Sequence, residues 1–214
     1  MDSASSTNRP DNLSTKRKPD SLNFFRGFLK EPRQVGSIIP SSPILERKLS
    51  TFAQVPTARR IIELGPGTGG TTRALLRHMT SDASLMSIES NRMFIDGLEK
   101  IDDPRLIVQH GDALRVREFL DKVEWKSADL VISGIPFSTM DRETGRRLIA
   151  DIHSLLSPNG AFVAYQIRDR VCNLAKDSFG RPDKCTVWRN IPPLRIFRWE
   201  KSKSPAGKSN GRER

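Results

Sequence analysis

The chain has 214 residues, enough for one domain with a full hydrophobic core, and its formal net charge is +11. A basic excess of this size favours a polyanionic partner, either a nucleic acid or an anionic membrane surface. No apolar run is long enough to cross a membrane, and the two cysteines and three scattered histidines lack metal-ligand spacing, so we predict no metal site. The polar N-terminus lacks the apolar core of a signal peptide, which makes the cytoplasm the expected compartment.

Residues 1–20 are mostly polar and predict a disordered tail, after which a short amphipathic helix is expected. The apolar side chains of this helix fall on one arc and are Leu22, Phe24, Phe25, Phe28 and Leu29. Basic residues lie on the opposite arc and just upstream, and Pro32 ends the helix. Taken alone, the apolar arc fits an interfacial membrane anchor and a helix that packs on the core equally well. Because basic residues flank the arc, we predict that the helix lies in the membrane interface and that these five side chains bind the membrane.

A loop with two prolines, residues 32–42, precedes a second helix that we expect from Pro43 to Phe52. The loop stands ahead of the first strand, where it can fold over a ligand as a lid or serve as a plain connector. Residues 21–54 thus form an N-terminal unit in front of the main domain, residues 55–200. Residues 201–214 predict a second disordered tail, which is basic.

Apolar strands and amphipathic helices alternate through the main domain, which predicts an α/β fold with a mostly parallel, seven-stranded sheet. The first five strands are predicted at Arg60–Leu64, Leu85–Glu89, Leu106–Gln109, Asp129–Ser133 and Ala161–Ile167. Helices are expected near 70–79, 91–100, 114–121, 141–156 and 169–177. The last two strands, Thr186–Arg189 and Arg195–Trp199, are joined by a short link and predict an antiparallel end to the sheet.

A glycine-rich turn follows the first strand, with Gly65, Gly67 and Gly69 alternating after Glu63. Such a loop offers bare backbone N–H groups and a helix N-terminus to a ligand. Glu89 ends the second strand about 20 residues further on, the spacing at which a carboxylate accepts hydrogen bonds from ribose hydroxyls. The pattern predicts a nucleoside-containing cofactor, and the alternative is an ordinary strand-to-helix turn.

The run Glu-Leu-Gly-Pro-Gly-Thr-Gly, residues 63–69, resembles the first motif of class I S-adenosylmethionine-dependent methyltransferases. The resemblance implies a Rossmann-like class I methyltransferase fold and S-adenosylmethionine as the cofactor. It also implies that Asp112, after the third strand, accepts the adenine amino group, although the same side chain fits a helix cap. The residues expected at the cofactor are Glu63, Gly65, Gly67, Gly69, Glu89, Ser90, Asp112, Ala113 and Ser133.

The fourth strand ends in Ser133-Gly134-Ile135-Pro136-Phe137, a segment that faces the methyl group in class I methyltransferases. Ribosomal RNA adenine N6-methyltransferases carry Asn-Ile/Leu-Pro-Phe/Tyr at this place, and the Asn is missing here. The Ser-Gly-Ile-Pro form instead resembles bacterial phospholipid N-methyltransferases. Residues 35–42 and residues 189–195 resemble the same family.

This second resemblance implies stepwise methylation of phosphatidylethanolamine towards phosphatidylcholine by an enzyme peripheral on the inner face of the cell membrane, with an anionic membrane surface as partner. The residues expected at the lipid are Ile39, Ser41, Ser42, Phe137, Arg168 and Arg170. The candidates at the reacting groups are Tyr165, His110, Ser133, Gly134, Ile135 and Pro136. Of these, Tyr165 and His110 are the candidate proton acceptors.

Three alternatives stay open at this point. A ribosomal RNA adenine N6-methyltransferase is favoured by the charge and by Ile-Pro-Phe, and disfavoured by the missing Asn. Another amino-lipid, such as an ornithine lipid, fits the same site. A catalytically silent protein with a cofactor fold is disfavoured by the intact acids Glu63, Glu89 and Asp112. The sequence leaves the oligomeric state open.

Overall fold

The computed structural model describes residues 43–188 and 193–202, and the fold below refers to these residues. The predicted N-terminal tail, amphipathic helix and lid loop lie outside them, and so do Ile39, Ser41 and Ser42. Residues 189–192 and most of the predicted C-terminal tail lie outside them as well. Within the described ranges, no helix is long and apolar enough to cross a bilayer.

One seven-stranded sheet organises the described chain, and helices alternate with its strands as predicted. The helices are α1 (Pro43–Ala53), α2 (Gly70–His78), α3 (Arg92–Glu99), α4 (Val116–Lys122), α5 (Arg142–Leu155) and α6 (Arg170–Phe179). The strands are β1 (Arg60–Leu64), β2 (Ser84–Glu89), β3 (Leu106–His110), β4 (Ala128–Ser133), β5 (Leu156–Gln166), β6 (Asp183–Val187) and β7 (Leu194–Glu200). Short 3-10 turns occur at Val55–Thr57, Ala113–Arg115 and Phe137–Thr139.

The strand order is β3-β2-β1-β4-β5-β7-β6, and the first five of these positions are parallel. The last strand in the chain, β7, runs antiparallel between β5 and β6. Because β6 is antiparallel to β7, it runs in the same direction as β5. The carboxyl ends of β1 to β6 therefore meet at one side of the sheet, called the carboxyl edge below, where ligands of such sheets bind.

Two predicted strands differ from the structure by more than one residue at an end. β5 begins at Leu156, five residues before its predicted start, although residues 157–160 have the composition of a turn. These residues are polar or turn-forming and hide the start of the strand from a search for apolar runs. Asn159, among them, has a φ of 64°. β6 runs over Asp183–Val187 instead of Thr186–Arg189. It pairs with β7 at the margin of the sheet, and its first residues are polar and exposed, so the apolar pattern does not mark where it starts.

Helices cover both faces of the sheet, which explains why β1 and β4 are almost entirely apolar. α1 and α2 pack on one face through Leu49 and Leu75. α4, α5 and α6 pack on the other through Phe119, Leu148 and Leu174. The two buried layers hold the strands rigid, so that the loops at the carboxyl edge are set in fixed positions.

Candidate cofactor and acceptor site

The glycine-rich loop lies at the carboxyl edge between β1 and α2. Gly67 has a φ of +56°, and a Cβ added there would have no atom within 4 Å, so its backbone faces open space. Gly65 has a φ of +73° and packs against the segment after β4, where an added Cβ would stand 3.1 Å from Cγ1 of Ile135. Gly69 immediately precedes α2. The loop thus leaves room for a ligand beside Gly67, as the sequence predicts.

Glu89 fastens this loop to the end of β2. Its Oε2 accepts a hydrogen bond from the Gly67 N–H at 3.0 Å, and its Oε1 accepts one from the Asn91 N–H at 2.8 Å. The side chain is buried, and burial raises the pKa of Glu89 despite these bonds. A carboxylate oxygen can accept more than one hydrogen bond, so both oxygens of Glu89 can still accept from ribose hydroxyls.

Glu63 is fully buried between β2 and α2. Thr72 Oγ1 and Ser87 Oγ both donate to its Oε2 at 2.7 Å. Its Oε1 is buried without a hydrogen-bond partner in the described chain. Burial raises the pKa of Glu63 to about 7, because the loss of hydration outweighs the two hydroxyl bonds, and Glu89 adds a smaller repulsion.

Thr72 and Ser87 were not predicted from the sequence as partners of Glu63. Ser87 carries a visible signal, since it is a lone hydroxyl inside the apolar strand β2. Thr72 lies in the first turn of α2 and carries none, because its contact depends on how that helix docks. The two hydroxyls hold one oxygen of the carboxylate and leave the other unsatisfied.

Asp112 and its neighbours form the site beyond β3. Asp112 Oδ1 accepts a hydrogen bond from the Leu114 N–H at 2.9 Å, so the side chain caps the turn Ala113–Arg115. The capping role is therefore confirmed, and Oδ2 is the oxygen that remains for a ligand. Ala113 is buried, and Ser90 follows Glu89 on the neighbouring strand.

The placement of His110 does not support a role at the reacting groups. His110 ends β3, and its Nε2 lies 3.3 Å from the Ser90 carbonyl oxygen. Two strands, β2 and β1, separate β3 from β4. At about 4.8 Å per strand spacing, His110 is roughly 14 Å from the end of β4, on the side where the adenine is expected. This prediction is corrected by the strand order.

The segment after β4 is held by a set of short contacts. The Gly134 N–H donates to Leu64 O at 2.9 Å, and the Ile135 N–H donates to Ser133 Oγ at 3.3 Å. Gln166, at the end of β5, donates from Nε2 to Ile135 O at 2.7 Å. Gln166, a buried amide that anchors this turn, was not predicted from the sequence. Ser133, Gly134 and Ile135 are thus held beside the glycine loop, and their predicted place at the reacting groups stays a prediction.

Tyr165 stands at the same point on the adjacent strand β5. Its hydroxyl lies 3.4 Å from Thr71 Oγ1, and a Cβ added at Gly134 would overlap that hydroxyl. Burial raises the pKa of Tyr165 far above its ordinary value, and the charge of Glu63 raises it further. The phenol therefore stays protonated, which suits a hydrogen-bond donor and disfavours the predicted role as proton acceptor.

Phe137 is not available to a substrate. Its side chain is fully buried in the core, and its ring meets that of Phe162 edge to face with centroids 6.3 Å apart. The turn at Phe137–Thr139 directs the ring inward below the half-buried Pro136. The prediction that Phe137 contacts the substrate is wrong, because one residue beyond Pro136 the chain already packs on the sheet.

Arg168 and Arg170 are exposed just beyond β5, near this segment. Arg170 Nη2 donates to Met140 O at 2.9 Å, which ties the start of α6 to the turn after Pro136. Both lie at the carboxyl edge, and the prediction that they meet an anionic group stays a prediction. Among the described residues, no cluster of His, Cys, Asp or Glu is arranged to hold a metal ion.

The glycine loop and the acids beside it have the features that S-adenosylmethionine needs in a binding site. Gly67 presents open backbone, and the Oε1 of Glu63 is a buried acceptor that the fold leaves without a donor. Glu89 and Asp112 supply carboxylate oxygens along the same edge. Two buried carboxylates beside the loop also favour a cationic ligand. When bound, S-adenosylmethionine supplies a methyl group already activated on a sulfonium.

Comparisons with known proteins agree with this geometry. Residues 61–160 match a family described as a methyltransferase domain. The chain is 29% identical over 147 residues to the ornithine lipid N-methyltransferase of Singulisphaera acidiphila, covering 67% of this chain and 76% of that protein. It is also 29% identical over 114 residues to a probable ribosomal RNA small subunit methyltransferase A of Pyrobaculum aerophilum, covering 45% of this chain and 46% of that protein.

A solved structure shows the same fold. The N-methyltransferase NodS of Bradyrhizobium japonicum WM9, in complex with S-adenosyl-L-homocysteine, superposes with a TM-score of 0.64 at 13% identity. The superposition covers 85% of this chain and 100% of that one. The predicted Rossmann-like methyltransferase fold is confirmed, and so is the predicted cofactor. Residues 61–160 thus match a methyltransferase domain, and they lie within a Rossmann-like fold for which S-adenosylmethionine is the cofactor.

Proposed function

We propose that the protein methylates the amine of a membrane amino-lipid, with phosphatidylethanolamine as the acceptor and phosphatidylcholine as the end of a stepwise series. The similarity to an ornithine lipid N-methyltransferase supports an amino-lipid acceptor and keeps ornithine lipid as the second candidate. The Ser-Gly-Ile-Pro segment supports phosphatidylethanolamine through the family resemblance.

The observation that carries this proposal is the contact between Gly134 and Tyr165. Ribosomal RNA adenine N6-methyltransferases have Asn at the position of Gly134. Here a Cβ at that position would overlap the Tyr165 hydroxyl and stand 3.1 Å from Gly65 O. The site therefore lacks the Asn side chain and also lacks the room for one.

The burial of Phe137 points the same way. The aromatic residue of the Ile-Pro-Phe segment stacks on the target base in the RNA enzymes. In this chain it is fully buried and its ring packs on Phe162, so it offers no face to an adenine. Both features expected of a nucleobase acceptor site are thus missing from the described residues.

The residues around the acceptor mainly have to place the nitrogen and exclude water. Gln166 and the Gly134 N–H hold the segment of Ile135 rigidly against the glycine loop. Tyr165 contributes a neutral phenol whose proton is retained because of its raised pKa. The exposed guanidinium groups of Arg168 and Arg170 suit the phosphate of a lipid headgroup.

A direct test uses the purified full-length protein with S-adenosylmethionine labelled in the methyl group. Vesicles of phosphatidylethanolamine, vesicles containing ornithine lipid, and small-subunit ribosomal RNA are offered in separate reactions. The proposal expects label in mono-, di- and trimethylated phosphatidylethanolamine. Label in ornithine lipid alone would move the assignment to that lipid, and label in RNA with none in either lipid would overturn it.

A further inference from the structure

Three large apolar side chains are exposed in the described part of the chain, two of them strongly. They are Ile44, Met93 and Trp188, with 37%, 82% and 77% of their surface exposed. Single exposed apolar residues need no explanation, but these three share one region of the molecule. All of them lie at or toward the carboxyl edge of the sheet, which also carries the cofactor and acceptor site.

The strand register places Trp188 beside the acceptor end of the site. Trp188 directly follows β6, whose last residue, Val187, pairs with Leu194. The next residue of β7, Arg195, pairs with Gln166 at the end of β5. Trp188 therefore lies at the same level as the residues that follow Gln166.

Met93 and Ile44 reach the same edge from other elements. Met93 is the second residue of α3, which begins right after the carboxyl end of β2. Ile44 is in the first turn of α1, whose middle is joined to the end of β6 by a bond from Lys48 Nζ to Thr186 O. The C-terminal end of α1 lies at the opposite edge, since Gln54 Oε1 accepts from Arg198. Its N-terminal end therefore points toward the carboxyl edge.

The charges around these side chains include several exposed arginines. Arg92, Arg142, Arg168 and Arg170 are exposed at the carboxyl edge. The exposed acids there are Asp141, Glu143 and Asp169, and Asp169 forms an ion pair with the exposed Arg195. The half-buried Asp112 and the buried Glu89 lie along the same edge. Basic and acidic side chains at this edge nearly balance in number, so apolar insertion has to supply most of any surface affinity.

We propose that the carboxyl edge is a docking face that lies flat on an anionic bilayer, with Ile44, Met93 and Trp188 inserted among the headgroups. Trp is enriched at the membrane–water interface, because its ring is apolar and its N–H is polar. Five strand spacings separate β2 from β6, so the face is about 24 Å wide. The proposal rests on the proposed lipid acceptor and adds that the acceptor site opens directly onto the membrane.

An RNA surface fits these observations less well. A phosphate backbone is bound by basic side chains and bases are bound by stacking, whereas Ile44 and Met93 offer neither. The helix predicted at residues 21–31 is a separate candidate for membrane contact and lies outside the described residues. The docking face needs a readout that reports on it alone.

Trp188 supplies that readout. The chain has three tryptophans, of which Trp199 is buried and Trp125 half-buried, so Trp125→Phe leaves Trp188 as the exposed fluorophore. Vesicles of phosphatidylethanolamine and phosphatidylglycerol should shift its emission to the blue, and lipids brominated near the headgroup should quench it. The same protein with Trp188→Phe added should lose both changes. An unshifted, unquenched Trp188 on sedimenting protein would overturn the proposal.

Sedimentation with the same vesicles tests the face as a whole. The triple variant Ile44→Ser, Met93→Ser, Trp188→Ser should bind at least about tenfold more weakly and still bind S-adenosylmethionine. Lys126→Glu is the matched control, since this exposed lysine precedes β4 at the opposite edge and should leave binding unchanged. Equal sedimentation of the triple variant and wild type would count against the face, as would weakened binding to RNA with unchanged binding to vesicles.

Failure of the proposed function looks different from failure of this inference. If no amino-lipid is an acceptor, wild type forms no methylated lipid in vesicles or in detergent micelles, whatever Trp188 reports. If the docking face is wrong, wild type methylates lipid while Trp188 stays in water. The fluorescence and the lipid product therefore test the two proposals separately.

Discussion

At the residue scale, the carboxyl group of Glu63 is fully buried. Its Oε2 receives two hydroxyl bonds, its Oε1 receives none from the described residues, and its pKa is raised to about 7. A buried acid of this kind destabilises the folded protein, because its Oε1 has lost its hydration and gains no hydrogen bond until a ligand donates one.

The pH dependence of folding measures that cost. The raised pKa means that folded Glu63 still holds a proton as pH rises from about 4.5 to 7, when the unfolded chain has released its own. Stability should therefore fall across this window, by on the order of 3 kcal/mol. Urea unfolding at pH 5 and pH 7.5 checks this on wild type and on Glu63→Gln.

The variant isolates Glu63 from Glu89, whose pKa is also raised. Glu63→Gln should show a shallower fall in the free energy of unfolding than wild type. Glu99→Gln, on the exposed end of α3, is the control and should follow wild type. An identical pH dependence in Glu63→Gln and wild type would show that Glu63 is ordinary in the folded protein.

The contact between Gly134 and Tyr165 leads to a second prediction at this scale. Gly134→Ala should destabilise the protein by about 1–3 kcal/mol, because the new Cβ overlaps the phenol. In a Tyr165→Ala background the same change should cost clearly less, since the overlapping ring is gone. Urea unfolding of the two single variants and the double variant gives the coupling energy.

Gly97→Ala serves as the control for this cycle. A Cβ added at Gly97 in α3 meets no atom within 4 Å, so this change should not destabilise the protein. An equal cost of Gly134→Ala with and without the tyrosine ring would mean that Tyr165 does not occupy the space that Asn fills in the RNA enzymes.

At the element scale, the glycine loop and β2 are joined through one side chain. Glu89 accepts from the Gly67 N–H with one oxygen and from the Asn91 N–H with the other. An amide has only one acceptor oxygen and turns its NH2 group toward the second N–H. Glu89→Gln should therefore loosen the loop without unfolding the domain.

The expected consequence of Glu89→Gln is a loss in affinity for S-adenosylmethionine. A charged hydrogen bond contributes roughly 1.5–3 kcal/mol, so the dissociation constant should rise about tenfold to a hundredfold. Calorimetric titration measures it, with Glu99→Gln as the matched control. Wild-type affinity in Glu89→Gln would show that the carboxylate neither holds the loop nor meets the cofactor.

At the scale of the whole molecule, the sequence predicted the sheet and its order of elements well. Long apolar runs such as β1 and β4 are buried on both sides, which makes them visible without a structure. β6 is a polar strand at the sheet margin and β5 contains Asn159 with positive φ, so local composition misplaced their ends.

The positions of the loop glycines and of Glu89 at the carboxyl edge were also predictable, because they follow from spacing along the chain. The contacts of Thr72, Ser87 and Gln166 were not, since each joins elements far apart in sequence. Phe137 was misassigned for a related reason. Whether a side chain beyond Pro136 faces the ligand or the core depends on a single turn of chain.

The lipids of living cells test the central claim most directly. A bacterial host that lacks phosphatidylcholine is made to express wild-type protein or Glu89→Gln, and its lipids are analysed by mass spectrometry. The account predicts mono-, di- and trimethylated phosphatidylethanolamine with wild type and strongly reduced amounts with the variant. An unchanged lipid profile in cells with soluble, cofactor-binding wild-type protein would contradict it.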